Sequence, residues 1–417
     1  MVAAAGRGPA APPIAMDTPR SIVAHLLARS LPLADLAAAT GTSLPTLRRA
    51  VHELQAGGWV RIVGRAAATG GRPANLFGVD PDVHTVVGVH LEHPGMRLVA
   101  TDLGGEPLDE SVPDVETLEP DAVHAIVLGY LERLRARFPR RRLLGIGIAS
   151  PGFIDAQTGT VIAIGRVPSW RHLPLPQRLA EASGMRVTIG NDIDAMAALE
   201  FGANGETRTT AYVGFSEGVK FSLFLQGKPY VGAFGNTGLV NPRLLAACAG
   251  RAEAADLLTV HGLSERYLAR AAAGSSPTGG AAAAGAAQAA GAARVRSLAD
   301  ARERFLAVLA VAEEGEPQAA ELVGWMAELL AAQIAVFVLL VQPELLVLGG
   351  ALAGAPERLL ADVEAAVRRQ VPTLLNNHLV VRRARTLTPN AAALGAARVF
   401  LQRLLAEDGP PLASLGR

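Results

Sequence analysis

The chain has 417 residues, of which half are apolar and 18% are charged, with a formal net charge of +1. This length predicts two or three domains, and the composition excludes wholesale disorder. One cysteine, Cys248, excludes a disulfide framework and a Cys-rich zinc site. The closest group of histidines, His90–His93, would place only His90 and Glu92 on one strand face, so we predict no metal site.

Charge is divided unevenly along the chain. Residues 1–80 hold eight arginines and four acidic residues, a net +4, whereas the rest holds 31 basic and 34 acidic residues, a net −3. A basic head on a mildly acidic body indicates that the head meets an anion, and nucleic acid is one such anion.

The first 16 residues are rich in Pro, Ala and Gly and lack the apolar run of a signal peptide. We expect residues 1–16 to be a disordered leader, with Met16 as an alternative start. The most apolar segment, residues 329–341, has 13 residues and is interrupted by Gln333, so it is too short to span a bilayer. These features predict a cytoplasmic protein without membrane contact.

Three helices are predicted in residues 17–80. Apolar residues at 22, 23, 26 and 27 have helical spacing, and Pro19 suits a first turn. A short second helix over 33–40 ends at Gly41, and a third begins after an N-cap. The N-cap is Thr42 or Ser43. One buried stripe is predicted on the third helix, formed by Leu44, Leu47, Val51 and Leu54.

Two helices joined by a short turn containing Gly are typical of a helix-turn-helix, whose second helix enters the major groove of DNA. After Gly57–Gly58, the strands WVRIVGR and NLFGVD flank a turn that holds Arg72, which would reach phosphate or a narrow minor groove. This order predicts a winged helix-turn-helix over residues 17–80; a small helical cap with a surface hairpin is the alternative. The predicted DNA contacts are Thr42, Ser43, Pro45, Thr46, Arg48, Arg49, His52 and Arg72.

Residues 81–408 alternate strands with long helices, which predicts α/β lobes. Residues 271–297 are of low complexity, and we expect an insertion without chemistry: a flexible loop whose Ala-rich stretch could be partly helical. Residues 409–417 are expected to form a tail.

Five motifs of the chain resemble the ROK family of repressors and sugar kinases, in the family's order. They are GGRPANLFGVD, GIGIASPGFID, GNDIDAMAALEFG, PELLVLGGAL and AAALGAA, and the resemblance covers about residues 17–405. It implies an α/β fold class, in which an N-terminal winged helix-turn-helix precedes a two-lobed, actin-like or ribonuclease-H-like ROK domain. The head resembles that of the family's transcription regulators, since its plain sugar kinases lack one.

The resemblance also implies a nucleotide site, and most of that site is altered. GVHLEHPGMRL, residues 88–98, stands where the family has Asp-x-Gly-Gly-Thr-Lys. Of the family's Gly-x-Gly-x-Gly only Gly218 remains, with Lys220 and Ser222 in the other two places. Glycine lets backbone approach phosphate closely, so these side chains oppose nucleotide binding. Only the distal pair Gly349–Gly350 is intact.

The sugar side of the site is altered as well. Leu239 and Pro242 stand where the family has a sugar-binding Glu and a His that serves sugar and zinc. Asn191 and Asp192 match the family's Asn–Asp, whose Asp takes a proton from a sugar hydroxyl. For this pair a helix cap, a non-catalytic ligand contact and catalysis all stay open. Arg166 replaces a sugar-binding Asn and is either an anion contact or a surface arginine.

The sequence therefore predicts a DNA-binding transcription regulator, a repressor in preference to an activator, that binds a double-stranded operator as a homodimer or higher homo-oligomer. Its effector would be a sugar, a sugar phosphate or a related small molecule in a catalytically inactive cleft, with ligand contacts at Arg166, Asn191 and Asp192. We predict no catalytic residue and no cofactor. The alternatives are an ATP-dependent sugar kinase carrying a DNA-binding head and a ligand-free dimeric DNA-binding scaffold.

Overall fold

The protein consists of an N-terminal head, residues 17–80, and a two-lobed body that follows it. The expected leader (residues 1–16), Arg72, Arg166 and Pro242 lie outside the described residues. The computed structural model describes residues 17–66, 73–92, 95–115, 118–155, 157–164, 167–202, 209–241, 243, 250, 252–273, 282–406 and 411–412.

Three helices and a three-stranded sheet form the head. The Asp17 carboxylate caps the first helix by accepting a hydrogen bond from Arg20 N at 2.9 Å, and Gly41 ends the second at a φ of 64°. The third helix begins after Ser43, one of the two predicted N-caps. The elements are α1 (Thr18–Ala28), β1 (Leu31–Pro32), α2 (Leu33–Thr40), α3 (Leu44–Ala56), β2 (Val60–Arg65) and β3 (Asn75–Val79).

Helix α3 buries Leu47, Val51 and Leu54 as predicted, together with Ala50. Leu44 is 43% exposed, so the predicted stripe is wrong at its first residue. Leu44 is the first residue of α3, and its side chain is not part of the apolar cluster of the head.

The wing strands β2 and β3 pair antiparallel, with Val60 opposite Val79. A third strand, β1, pairs with β3 on its other side. Its two residues are too few to produce an alternating pattern, so this strand could not be predicted from the sequence.

The first lobe, residues 81–202, holds a five-stranded sheet in the order β11-β7-β4-β5-β6 and a small sheet of β8, β9 and β10. Strands β4, β7 and β11 are parallel, whereas β5 and β6 are antiparallel additions. The elements are β4 (His84–Leu91), β5 (Met96–Thr101), β6 (Pro107–Ser111), α4 (Pro120–Arg137), β7 (Arg142–Ser150), β8 (Phe153–Asp155), β9 (Thr160–Ile164), β10 (Val167–Leu173), α5 (Leu175–Ser183), β11 (Arg186–Asn191) and α6 (Asp192–Phe201).

The second lobe repeats this topology with the sheet order β14-β13-β12-β15-β16. Again the first three strands in sequence are antiparallel, and the last two join in parallel. The elements are β12 (Thr210–Phe215), β13 (Val219–Leu225), β14 (Lys228–Tyr230), α7 (Val260–Ala273), α8 (Ala282–Arg296), α9 (Ala301–Glu313), α10 (Pro317–Val341), β15 (Leu345–Gly350), α11 (Glu357–Gln370), α12 (Thr373–Asn376), β16 (Val380–Arg383) and α13 (Ala391–Ala406), with 3₁₀ turns at Ala252–Leu258 and Ala351–Gly354.

The last helix, α13, crosses back onto the sheet of the first lobe, and two glycines allow this close approach. A Cβ added at Gly88 would lie 1.9 Å from Ala393 O, and one at Gly147 would lie 2.0 Å from Ala396 O. A side chain at either position would collide with the helix backbone. The motifs around these glycines therefore serve the packing of helix on sheet.

Helix α10 has 25 residues, and by length and composition it could cross a membrane. The apolar segment 329–341 is the C-terminal half of this helix, which begins at Pro317, so the expectation that the segment is too short to span a bilayer is wrong by length; Gln333 lies buried within the helix. In its most apolar window, 61% of the residues are buried, and they form part of the core of the second lobe.

The Ala-rich part of the segment 271–297 is the helix α8, in agreement with the helical alternative for this stretch. Ala292 and Val295 belong to the core of the second lobe. A Cβ at Gly291 would lie 2.5 Å from Tyr267 Oη, so this helix packs closely on α7.

Head and body share one apolar cluster, formed by the head helices and the C-terminal half of α13. Arg20 Nε donates to Leu404 O at 3.4 Å, and Trp59 Nε1 donates to Leu412 O at 3.0 Å. His84 Nε2 lies 3.1 Å from Gly57 O and must carry the proton, since a carbonyl only accepts. Leu412 is 2% exposed, so this part of the expected tail is packed against the head.

Candidate DNA-binding surface and interlobe cleft

The exposed face of α3 carries nearly all the sequence-predicted DNA contacts that the structure describes. Thr42, in the turn before the helix, is half-buried. Ser43 Oγ and Thr46 Oγ1 are 2.9 Å apart and share a hydrogen bond across the first turn. For every residue in the set of predicted DNA contacts, contact with DNA remains a prediction. The exposed members of the set are Ser43, Pro45, Thr46, Arg48, Arg49 and His52.

Intramolecular ion pairs occupy several arginines of the head. Arg20 is buried and lies 2.6 Å from Asp17, and Arg61 lies 2.6 Å from Asp82. Arg49 Nε is 3.1 Å from Glu53 Oε1. Arg48 has no hydrogen bond or ion pair with any residue in the described part of the chain. The positive charge available to an anion is therefore smaller than the residue count suggests, and on α3 it is centred on Arg48.

In the body, Asn191 and Asp192 lie where β11 ends and α6 begins. Asn191 Oδ1 and Asp192 Oδ1 each accept a hydrogen bond from Ile193 N at 2.9 Å. The cap role, one of the three left open by the sequence, is therefore observed. Both side chains are 5% exposed and line the cleft between the lobes, with Asp192 bordering two adjoining cavities.

The first cleft cavity, of about 370 Å³, has a row of charged groups on its wall. His90 Nε2 lies 3.9 Å from Asp192 Oδ2, and His90 Nδ1 lies 3.6 Å from Glu92 Oε2. Arg97 Nε lies 2.7 Å from Glu92 Oε1. These groups occupy the place of the family's first phosphate loop and lie close to one another, although His90 Nδ1 and Arg97 Nε are buried without a hydrogen-bond partner.

At the place of the second phosphate loop, the Lys220 ammonium is buried and forms an ion pair with Asp194 in the first turn of α6. Glycine would leave room there for a phosphate next to the backbone. The lysine side chain and its carboxylate partner fill that room instead.

The intact glycine pair is explained by packing. A Cβ at Gly349 would lie 2.0 Å from Tyr212 Cζ, and Gly350 N donates to Tyr212 Oη at 3.0 Å. Burial raises the pKa of Tyr212 to about 12, so the hydroxyl stays neutral. Gly349–Gly350 therefore accommodates a tyrosine of the neighbouring strand without any nucleotide.

The second cleft cavity, of about 350 Å³, joins apolar side chains to the Asn191–Asp192 pair. Leu239 lines it where a sugar-binding Glu was expected, and its backbone bridges to Lys220. Asn236 joins the two lobes: its Oδ1 accepts from Ile154 N at 3.0 Å, and its Nδ2 donates to Ile154 O at 2.7 Å. The amide thus fixes a segment of the second lobe to β8 of the first.

Within the described residues no group of three or more His, Cys, Asp or Glu side chains could hold a metal ion.

A family model described as the ROK family matches residues 109–403, well over half of the chain. The chain belongs to the ROK family. A second model, the IclR helix-turn-helix domain, matches residues 22–63 and so coincides with α1, α2, α3 and part of the wing.

Relatives of this ROK protein include regulators. A transcriptional regulator of Mycobacterium tuberculosis is 31% identical over 213 residues, 48% of this chain and 47% of that protein. A xylose repressor of Caldicellulosiruptor bescii is 26% identical over 200 residues, 47% of this chain and 50% of that protein. In each case the match spans about half the length of the curated relative.

A solved structure extends the likeness to head and body together. The crystal structure of a ROK family transcriptional regulator, a homologue of the Escherichia coli MLC protein, superposes with a TM-score of 0.71. It is 20% identical, and the match covers 94% of this chain and 98% of that one. The predicted fold, a winged helix-turn-helix followed by a two-lobed ROK domain, is confirmed.

Sequence reasoning missed four side chains of the ROK cleft: Arg97, Asp194, Tyr212 and Asn236. Arg97 faces His90 across the β4–β5 pair, and Tyr212 faces Gly349 across two strands far apart in sequence. A signal was present for Asp194, since an acid two residues after Asp192 lies in the same first helical turn. The other three depend on pairings that a single sequence does not display.

Proposed function

We propose that this ROK protein is a DNA-binding transcription regulator that acts as a repressor. Helix α3 would lie in the major groove of a double-stranded operator, with Arg48 and the polar side chains of its first turns toward the bases. The observation that carries the proposal is the exposed face of α3, with its unpaired Arg48, on a head fixed by buried contacts to a ROK body. The names of its relatives, a transcriptional regulator and a xylose repressor, support it.

Selection of binding sites from random duplex DNA tests this proposal. We expect a palindromic consensus, because two heads related by a two-fold axis read two half-sites. Affinity should fall steeply with salt concentration, since phosphate contacts release counterions. If no sequence is enriched, and if binding to any duplex stays as weak as that of the isolated body, the proposal is wrong.

The cleft would hold the effector, a sugar, a sugar phosphate or a related small molecule. Asn191 Nδ2 and Asp192 Oδ2 remain to contact it, because the caps use only one oxygen of each side chain. A ligand can shift DNA affinity only if it binds one arrangement of the lobes better than another. Titration of the operator complex with such compounds tests this role. A panel that changes neither operator affinity nor melting temperature would favour the ligand-free scaffold.

We propose further that the cleft is catalytically inactive. Lys220, the Glu92–Arg97 pair and Tyr212 occupy the surroundings in which a kinase would hold phosphates. ATP turnover with a sugar panel should therefore stay at background. Turnover that disappears in Asp192→Asn would instead identify a sugar kinase carrying a DNA-binding head.

A homodimer would form through the exposed apolar stripe of α10, at Val336, Leu339 and Leu340. Leu340 is 78% exposed, which is unusual for a leucine next to two other exposed apolar side chains on one helix face. Sedimentation of Leu340→Glu against the unchanged chain tests this interface, and an unaltered dimer in the variant would contradict it. A regulator of this kind would act in the cytoplasm, where its operator lies.

A further inference from the structure

A cavity of about 400 Å³ lies between the head and the body, away from the interlobe cleft. Ala24, His25 and Ala28 of α1 form its head side. Helix α13 and the turn at Leu103–Gly105 form its body side. Because both parts line the cavity, its shape depends on how the head sits on the body.

One charged group in this cavity is unusual. Arg398, on α13, is half-buried and forms no hydrogen bond or ion pair with any residue that the structure describes. Burial lowers the pKa of its guanidinium, and no neighbouring charge contributes. A half-buried cation in a mostly apolar cavity is unfavourable unless an anion or solvent satisfies it.

The acidic residue of the lining, Asp102, does not fill this role. Asp102 Oδ1 accepts a hydrogen bond from Glu106 N at 3.0 Å, so the carboxylate stabilises its own turn. It makes no ion pair with Arg398. The remaining polar lining is sparse and the rest is apolar: Leu27, Val86, Leu103, Leu199, Leu401 and Leu405.

We propose that this cavity binds a small carboxylic acid with an apolar body. The carboxylate would pair with Arg398, whose guanidinium presents a fork of donors that matches two carboxylate oxygens. The apolar body would lie against the leucines of α13 and α6. The volume is in the range of cavities that enclose small ligands.

Such a ligand would contact α1 of the DNA-binding head and α13 of the body at the same time. It would stabilise the one head arrangement that keeps the cavity intact, and so change operator affinity. Leu199 belongs to α6, the helix that begins at the Asn191–Asp192 pair, so the cavity and the cleft share an element. This regulatory consequence rests on the proposed function, whereas binding of the acid does not.

Octanoate is the test ligand, with octan-1-ol and octylamine as compounds of matched apolar body. Calorimetric titration and thermal denaturation are carried out on the full chain without DNA. We expect octanoate to bind and to raise the melting temperature, with the alcohol and the amine at least about tenfold weaker. Equal binding of all three compounds, or no binding of octanoate, overturns the proposal.

Substitutions at Arg398 test the contribution of its charge to octanoate binding separately from that of its side-chain shape. Arg398→Met keeps an apolar stem and should weaken octanoate about tenfold or more while leaving octan-1-ol unchanged; Arg398→Lys should retain part of the affinity. Arg369→Met, at an exposed arginine of α11, is the matched control and should bind like the unchanged chain. Full affinity in Arg398→Met overturns the proposal.

Ala24→Leu fills the cavity from the head side and keeps Arg398, so it serves if Arg398→Met does not fold. Octanoate binding should be lost in it, and retention of full affinity would contradict the proposed location. Operator titration follows: if octanoate binds but the chain recognises no operator, the cavity stands and the proposed function fails. If operator binding is intact and octanoate does not bind, only the cavity proposal fails.

Discussion

The recognition surface of α3 and the interlobe cleft both carry arginine, lysine and carboxylate side chains, but they use them differently. On α3 the charged groups are exposed, and Arg48 has no partner among the described residues. In the cleft, Lys220 is buried against Asp194, and Arg97 is held by Glu92. The charge of Arg48 is therefore available to another molecule, whereas the charges of the cleft are largely neutralised within the chain.

The two regions show two roles for a charged residue: it can pair with another residue of the chain, or it can remain available to an external ligand. A buried ion pair stabilises one arrangement of the lobes. Its cation is already paired, so it gains little free energy by binding a phosphate. An exposed arginine contributes little to folding and can bind an external anion. The buried ammonium of Lys220 is the sharpest case, because it stands where a kinase needs empty space.

The largest expected effect comes from breaking that pair. Lys220→Met should lower the free energy of unfolding by about 3–5 kcal/mol, because it leaves the Asp194 carboxylate partly buried without its cation. The double variant Lys220→Met/Asp194→Ala should recover most of the lost free energy of unfolding. Urea denaturation measures both. The exposed pair Arg294–Glu314 is the control, and Arg294→Met should cost less than about 1 kcal/mol.

At the junction of head and body, acid should weaken the contact through His84. Burial lowers its pKa from 6.5 to about 4, and the nearby charge of Arg142 adds to the shift, while the hydrogen bond to Gly57 opposes it. The unfolded chain binds the proton first, so stability is full above pH 6.5 and is lost as pH falls toward 4, by about 3 kcal/mol. Denaturation across this range should have a shallower pH slope in His84→Gln, which keeps the donor to Gly57. His52→Gln, on the exposed face, should leave the slope unchanged.

On the recognition surface, Arg48→Ala should weaken operator binding by about 1–3 kcal/mol for each head bound. Arg49→Ala should cost less, because Glu53 already holds that guanidinium, and Glu53→Gln should strengthen binding. Fluorescence anisotropy on the selected operator measures all three, with Arg369→Ala as the control. A larger loss for Arg49 than for Arg48 would contradict the assignment of the free charge.

The smallest effect concerns the glycine pair. Tyr212→Phe should cost about 1 kcal/mol of stability, because Gly350 N–H loses its acceptor while the ring still fills the space above Gly349. Nucleotide binding should stay undetectable in this variant. Tyr230→Phe, at a tyrosine that is 50% exposed, should change stability by much less. A gain of ATP affinity in Tyr212→Phe would restore a nucleotide role to the pair.

Much of the fold could be predicted because it depends on local patterns. The three head helices follow from apolar spacing, Gly41 and an N-cap before α3, and these predictions agree with the structure to within a few residues. The fold class rested on five motifs in a family order, which the family match confirms. Predictions failed where neighbours decide: Leu44 is exposed rather than part of the buried stripe, and the Ala-rich part of the expected flexible loop packs into the core as α8.

The candidate site also has features that depend on local sequence and features that depend on neighbouring elements. The sequence by itself determined the helix-turn-helix, the exposed positions on α3 and the loss of the family's glycines at Lys220 and Ser222, because each is a property of spacing or residue type. Only the tertiary structure decided which charges remain available. Arg49, Arg97 and Lys220 are bound by partners, whereas Arg48 and Arg398 have none in the described chain. The physical reason is that the energy of a charge depends on the distance and burial of its partner, and strand pairing and helix packing fix both.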